Sequence, residues 1–313
     1  MQTLTQVNSF HPASALPEGA RGKPHRPFIR FHGLSRVSHR RLHGRARIID
    51  FSPVLSYNMF MDTFLAFDVG NTSIKAGYFD RGRLTMTTSA ADAASLVPKL
   101  RQFDKPAAAG ASSVRPAQDE PLRQAVRDVF GIPLAFLGKD LPAGVTIRCE
   151  QPEKVGADRL ANAIAGFQRA REHVIVVDFG TAIAFDVISD TGEFLGGAIA
   201  PGVSTCLAAL HEKTALLPRV EIDEPPSGFG RNTVDAILAG VVGGLPGLVD
   251  RIVENIEAET TSKFTVYATG GDSRHVAAQC HTVDEIIPSL TLEGIHLAWK
   301  RMLRAQEKQT MKG

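Results

Sequence analysis

From residue 64 onward, apolar and polar positions fall into short bursts whose period switches between two and about four. "FLAFDVG", "IKAGYFD" and "RLTMTTS" each read as a strand, joined by tight turns of which Arg81-Gly82 is one. The period then lengthens. "DAASLVPKLRQF" predicts a helix, "PAAAGASS" a buried strand, and "EPLRQAVRDVFG" an amphipathic helix ended by Gly131, with "PLAFLG" as a further short strand. "EKVGADRLANAIAGFQRARE" places Leu160, Ile164 and Phe167 at helical spacing, which predicts a long helix starting near Gly156.

The same order then returns. "HVIVVDFG", "AIAFDVIS" and "EFLGGAIA" read as strands and "STCLAALHEKTALL" as a helix. "TVDAILAGVVGGLPGLVDRIVENIEAE" supplies one or two more helices, "FTVYATGG" a strand feeding a helix at Asp272, and "TLEGIHLAWKRMLRAQ" a closing helix. Two α/β halves that each open on a hairpin-rich sheet and an Asp-x-Gly turn make an internal duplication. Lobes of that kind, facing each other, bring two strand-ending Asp-x-Gly turns to opposite sides of one cleft. Glycine lets backbone pass close to a bulky anion, and successive N–H groups of such a turn can cradle phosphate oxygens. A carboxylate at the strand end repels phosphate but can hold the cation that binds it. One such turn would be ordinary hairpin punctuation; two, each near the start of a half, argue for a paired site.

Composition adds bounds. The chain has 313 residues, 43% of them hydrophobic, enough for a sizeable core and two domains. Charge is uneven: residues 1–58 carry nine Lys/Arg, five His and two acidic residues, Glu18 and Asp50, and the remainder is mildly acidic. This Arg-rich arm has no sustained period and no apolar centre, so it is not a secretory signal. A nucleic-acid-binding tail, an organelle transit segment and translated upstream sequence all fit it. With Met59 and Met61 directly before the first strand, the expectation is that the functional polypeptide starts there and that residues 1–58 are a disordered or spurious extension. Residues 59–172 would then form the N-terminal lobe and 173–313 the C-terminal lobe. Cys149, Cys206 and Cys280 lie far apart without CxxC spacing, which favours a reducing, cytoplasmic setting over a disulfide framework or zinc site. The longest uncharged apolar stretch, residues 236–249, contains Gly-Gly and Pro246 and is too short and broken for a membrane span. The ten histidines show no metal-ligand spacing.

Six segments in order, "DVGNTSIK" (68–75), "GADR" (156–159), "DFGTA" (178–182), "GGAIAPG" (196–202), "GRNTVDAILAG" (230–240) and "ATGG" (268–271), carry a family resemblance. From Phe64 to the last helix the chain resembles the actin, hexokinase and heat-shock ATPase superfamily, and within it the type III pantothenate kinases. The resemblance implies two ribonuclease-H-like (actin-like) α/β lobes around a nucleotide cleft. It implies transfer of the γ-phosphate of Mg–ATP to the primary hydroxyl of pantothenate, the first step toward coenzyme A. It further implies a homodimer and a monovalent cation, K⁺ or NH₄⁺, with no nucleic acid or membrane partner.

Carried onto this sequence, the resemblance makes Asp68, Val69, Gly70, Asn71, Thr72, Ser73, Ile74 and Lys75 the first phosphate turn, with Asp68 holding Mg²⁺ or its water shell. Asp158 becomes the general base within a substrate segment of Gly156, Ala157, Asp158 and Arg159. Asp178 becomes the monovalent-cation ligand, Thr181 an ATP contact, and Thr233 a substrate contact. Gly270 and Gly271 would let the nucleoside lie against backbone. Each has a plainer alternative: a type I′ hairpin at Gly70, a dipole-favoured helix start at Asp158, a turn carboxylate at Asp178, an N-cap at Thr233 and a tight turn at Gly270. One departure stands out. Where the family has a pocket tyrosine, seven residues before Gly156, this chain has Cys149, a smaller and poorer donor. A kinase for another small hydroxyl or carboxylate substrate is therefore the competing reading within the fold. A non-catalytic regulator with the basic arm on DNA competes from another class, against the presence of Asp68, Asp158 and Asp178.

Overall fold

The computed structural model describes residues 62–222 and 228–311; the expectation for residues 1–58 lies outside them. Strands β1 (Thr63–Val69), β2 (Ile74–Asp80) and β3 (Arg83–Ala90) form an antiparallel meander. Arg81 and Gly82 turn the chain between the last two at φ 46° and 80°, the left-handed pair that a two-residue hairpin requires. Helix α1 (Ala93–Leu100) is capped by the Asp92 carboxylate on the Ser95 N–H. It leads to β4 (Ala108–Ser113), α2 (Asp119–Phe130), which ends on left-handed Gly131, and β5 (Leu134–Phe136). Both β4 and β5 add in parallel, giving the sheet order β3-β2-β1-β4-β5.

After α3 (Ala157–Ala170) the plan repeats. Strands β6 (Val174–Phe179), β7 (Ala182–Ile188) and β8 (Phe194–Pro201) form a second meander. Helices α4 (Val203–Lys213), α5 (Thr233–Val241) and α6 (Leu245–Thr260) follow, then β9 (Thr265–Thr269), the single-turn α7 (Ser273–Val276), β10 (Glu285–Ile286) and α8 (Leu290–Thr310). The second sheet runs β8-β7-β6-β9-β10, the order of the first. The correspondence extends to single residues: Asp68 stands beside Ser112 on the parallel neighbour, and Asp178 beside Thr269. Two α/β lobes built on one strand order are the duplicated actin-like architecture.

Strand alternation decides what each face covers. Leu65, Phe67 and Val69 pack with Leu96, Leu122 and Val126 beneath α1 and α2, while Phe64 and Ala66 face Leu160, Ile164, Ile295 and Trp299 of α3 and α8. In β6, Ile175, Val177 and Phe179 join the core under α4–α6, and Val174 and Val176 pack with Ala163 and Ala165 of α3. Helix α3 is thus buried between both sheets. Helix α8 packs not on the second lobe alone but against α3, β1 and β4 of the first. Amphipathic periodicity shows that such a helix has a face to bury, without showing which sheet receives it.

By length and apolar composition alone, residues 233–260 include a segment that could cross a membrane; in the fold they are two helices, α5 and α6, separated by a break over 242–244. The α3–α8 contact is tightest at Gly294, where a Cβ would lie 1.9 Å from the Ala161 carbonyl oxygen. Gly294→Val should therefore destabilise the protein by about 1–3 kcal/mol, since no rotamer relieves a clash with backbone. Urea unfolding checks this, and an unchanged midpoint would refute the close approach.

Candidate functional site

The two Asp-x-Gly turns meet. Between β1 and β2, residues 70–73 form a loop in which the Gly70 N–H donates to the Ser73 carbonyl at 3.0 Å. Among the described residues no positive φ occurs in this loop, so it is not a type I′ hairpin but an open, four-residue turn. Between β6 and β7, only Gly180 and Thr181 intervene, and the Gly180 N–H donates to the Ala182 carbonyl at 3.0 Å. The hydroxyls of Thr72 and Thr181 lie 3.0 Å apart, joining the turns across the lobes.

Each turn is held from behind. The Arg115 guanidinium donates to the Asn71 carbonyl at 3.2 Å and to the Ala91 carbonyl at 2.8 Å, fixing the outer side of the first. At the second, the Thr181 carbonyl accepts from the Gly202 N–H at 3.0 Å and the Thr205 hydroxyl at 2.6 Å. Gly202 can approach because it lacks a Cβ, which would stand 2.1 Å from the Gly180 oxygen. Gly270, at φ 95°, closes on the same place: a Cβ there would meet the Phe179 oxygen at 2.4 Å and Asp178 Oδ1 at 2.5 Å. Gly271 borders open space. Val69 and Ile74 bury their side chains in the first core, leaving only their backbone for the turn.

Behind the turns three carboxylates converge. Asp68 Oδ1 accepts from the Ser112 hydroxyl at 3.1 Å. Burial first, then repulsion from Asp178, pushes its carboxyl up to about 7, against the pull of Lys75. Asp178 Oδ2 accepts from the Asn162 amide at 3.2 Å, and Asn162 Oδ1 in turn accepts from the Thr291 hydroxyl at 2.8 Å. Burial raises Asp178 as well, with Asp158 adding repulsion and Lys75 opposing it. Asp158, in the first turn of α3, is raised by burial although the Arg159 N–H donates to its Oδ1 at 2.8 Å. Gly156 leaves this carboxylate its room, since a Cβ there would stand 2.4 Å from Asp158 Oδ1. Ala157 is half-buried against the α3–α8 core.

The remaining residues sort themselves. Arg159 turns back to Asp186 in β7. Cys149 is a half-buried free thiol beside β8, its Sγ 3.8 Å from where a Cβ on Gly196 would be. Thr233 is exposed and is not an N-cap: the cap of α5 is Asn232, whose Oδ1 accepts from the Asp235 N–H at 2.9 Å. No described hydrogen bond or ion pair ties Thr233 to the three carboxylates. Sequence reasoning missed Ser112, Arg115, Asn162, Asp186 and Thr291. Asn162 was signalled by its place one turn after Asp158 on α3, and Asp186 by being the single polar residue in "AIAFDVI".

Crowded carboxylates with one lysine suit cations. Among the described residues no group of three or more His, Cys, Asp and Glu is placed to hold a metal. The raised carboxyl of Asp68 also has a consequence for stability. The folded state holds its proton more tightly than the unfolded chain, so stability falls as pH rises from about 4 to 7. Without added nucleotide or metal, Asp68→Asn should be more stable than the parent at pH 8, by about 1–2 kcal/mol because Asp68 keeps part of its surface open. Melting across pH checks this: the gap should close near pH 4, and equal melting throughout would refute the strain.

Comparison with known proteins agrees with this geometry. A family model described as type III pantothenate kinase matches residues 64–255. The type III pantothenate kinase of Geotalea uraniireducens is 37% identical over 250 residues, covering 76% of this chain and 98% of the relative. That of Myxococcus xanthus is equally similar, 37% over 250 residues with the same coverage. Among solved structures, a conserved putative Baf family transcriptional activator from Campylobacter jejuni superposes with a TM-score of 0.50 at 22% identity, over 77% of this chain and 99% of that one. At that identity the likeness speaks to fold. The family model and the sequence relatives give one assignment: this chain belongs to the type III pantothenate kinase family.

Proposed function

We propose that the protein transfers the γ-phosphoryl group of ATP to the primary hydroxyl of pantothenate, giving 4′-phosphopantothenate and ADP. The observation that carries this reading is the meeting of two glycine-bearing turns, Thr72 against Thr181 at 3.0 Å, above three converging carboxylates. Backbone N–H groups of 71–73 and the Thr72 and Thr181 hydroxyls bind the phosphates. Lys75, whose charge reaches Asp68, Asp178 and Asp272, offsets the negative charge that phosphates bring. A cavity of about 530 Å³ lined by Leu207, Ala208, His211, Asp272 and His275 adjoins the Gly270–Gly271 turn and accommodates the nucleoside.

Asp158 accepts the proton of the attacking hydroxyl as its oxygen bonds to the γ-phosphorus and the bond to the β–γ bridging oxygen breaks. Burial raises this carboxyl toward the working pH, which suits a general base. Mg²⁺ would be held by Asp68 and K⁺ or NH₄⁺ by Asp178, supplying charge neutralisation at the phosphates. Gly156, Ala157 and Arg159 bind the acceptor, with Cys149 at its edge. Thr233, exposed at the start of α5, contacts the acceptor, and the protein acts as a homodimer. Three free cysteines match a cytoplasmic setting.

Asp158→Asn should leave ATP binding intact and cut turnover by about 10²–10⁴. Steady-state assay of 4′-phosphopantothenate formation tests this, and undiminished turnover removes Asp158 from the role. Asp178→Ala should abolish activation by K⁺ and NH₄⁺, whereas a variant still stimulated by these ions would exclude Asp178 as their ligand. In the same assay, acetate and sugars as acceptors should give no ADP above background; turnover with them in preference to pantothenate would overturn the substrate assignment.

A further inference from the structure

Asp186 has no part in the chemistry above, yet it is the most enclosed carboxylate of the site. It lies in β7 at 0% exposure among apolar neighbours, a placement that is costly for a charge without a purpose. Its Oδ1 accepts from Arg159 Nε at 2.5 Å, while Arg159 Nη2 donates to the Phe185 carbonyl at 3.1 Å. The guanidinium carbon stands 5.2 Å from the centre of the Phe194 ring. Gly197 makes the remaining wall, since a Cβ there would come 2.9 Å from Nη2.

Two features separate this arrangement from a simple stabilising ion pair. Asp186 Oδ2 is enclosed without a hydrogen-bond partner, so the pairing is one-pointed where a saturating Arg–carboxylate pair would be bidentate. And Arg159 keeps 19% of its side chain open, with its Nη1 donors unspent. One edge of the guanidinium is anchored and the other is offered. The offered edge belongs to the residue directly after Asp158, on the same turn of α3.

We propose that Asp186 is a positioning residue that aims Arg159 at the carboxylate of the acceptor, making the site selective for an anionic substrate. The proposal rests on the reading that Arg159 contacts the acceptor. Removing the carboxylate while keeping its size, as in Asp186→Asn, loosens the anchored edge and leaves the phosphate turns untouched.

The test compares pantothenate with its uncharged primary amide as acceptors. Asp186→Asn should raise the KM for pantothenate about 10–100-fold, as for loss of one charge-assisted hydrogen bond. The KM for ATP and the kcat should stay within about threefold, and the parent's preference for carboxylate over amide should collapse. An equal loss with both acceptors would make Asp186 merely structural and overturn the proposal. Asp186→Ser, which removes the carboxylate without adding volume, answers the same question should the Asn variant fail to fold: retained preference overturns the proposal, lost preference supports it. Arg159→Met separates the two readings. If it keeps the preference, Arg159 does not read the carboxylate and both fall; if it loses the preference while Asp186→Asn keeps it, only the role of Asp186 falls.

Discussion

Like charges held close in a half-dry cleft are the constraint around which this molecule is organised. Burial raises the proton affinity of Asp68, Asp158 and Asp178; Asp178 and Asp158 raise Asp68 further, Asp158 raises Asp178, and Lys75 is the cation that pulls Asp68 and Asp178 the other way. Such a cluster is unfavourable by itself. Bound cations would relieve that repulsion, so the fold holds in tension a cluster that opposite charge can stabilise. Everything nearby serves to keep the carboxylates from drifting apart. Ser112 and Asn162 each hold one oxygen, Gly156 leaves room for the Asp158 carboxylate, and Gly202 and Gly270 let backbone approach where a side chain would pry the second turn open.

The duplication supplies two copies of one device, and the copies have diverged. The first turn is four residues long and tied from outside by Arg115; the second is two residues long and tied from beneath by Gly202 and Thr205. A longer, looser turn can wrap an anion, whereas a short, clamped one can set a fixed point against it. Helix α3, buried against both sheets, makes the two halves one site. It carries Asp158 and Arg159 at its start and Asn162 one turn later, so Asp158 and the support of Asp178 share a single rigid element.

Much of this was readable in the residues themselves. Period-two bursts gave the meanders, because strands half-buried on a sheet must alternate, and the recurrence of Asp-x-Gly exposed the duplication. The hidden supports were not readable in the same way. Ser112 and Thr291 sit in segments that read as plain core, and their meaning comes from partners 44 and 129 residues away. Asn232 and Thr233 are both good caps, so chemistry alone could not say that Asn232 takes the role. Strand β10 is two residues long and carries no period at all. The destination of α8 was hidden for a related reason: an apolar stripe specifies burial, while the partner is chosen by a complementary gap, here the glycine at 294 that admits Ala161.

That last helix also sets an order of events during synthesis. Asn162 holds Asp178 with one end of its amide and is itself held, at the other, by Thr291 from the first turn of α8. On the ribosome, both phosphate turns emerge well before residue 291 does. A nascent chain can therefore build its two sheets and still lack the peg that steadies the Asn162 amide against Asp178. That peg is set only once helix α8 has left the exit tunnel and folded back across the half that was made first.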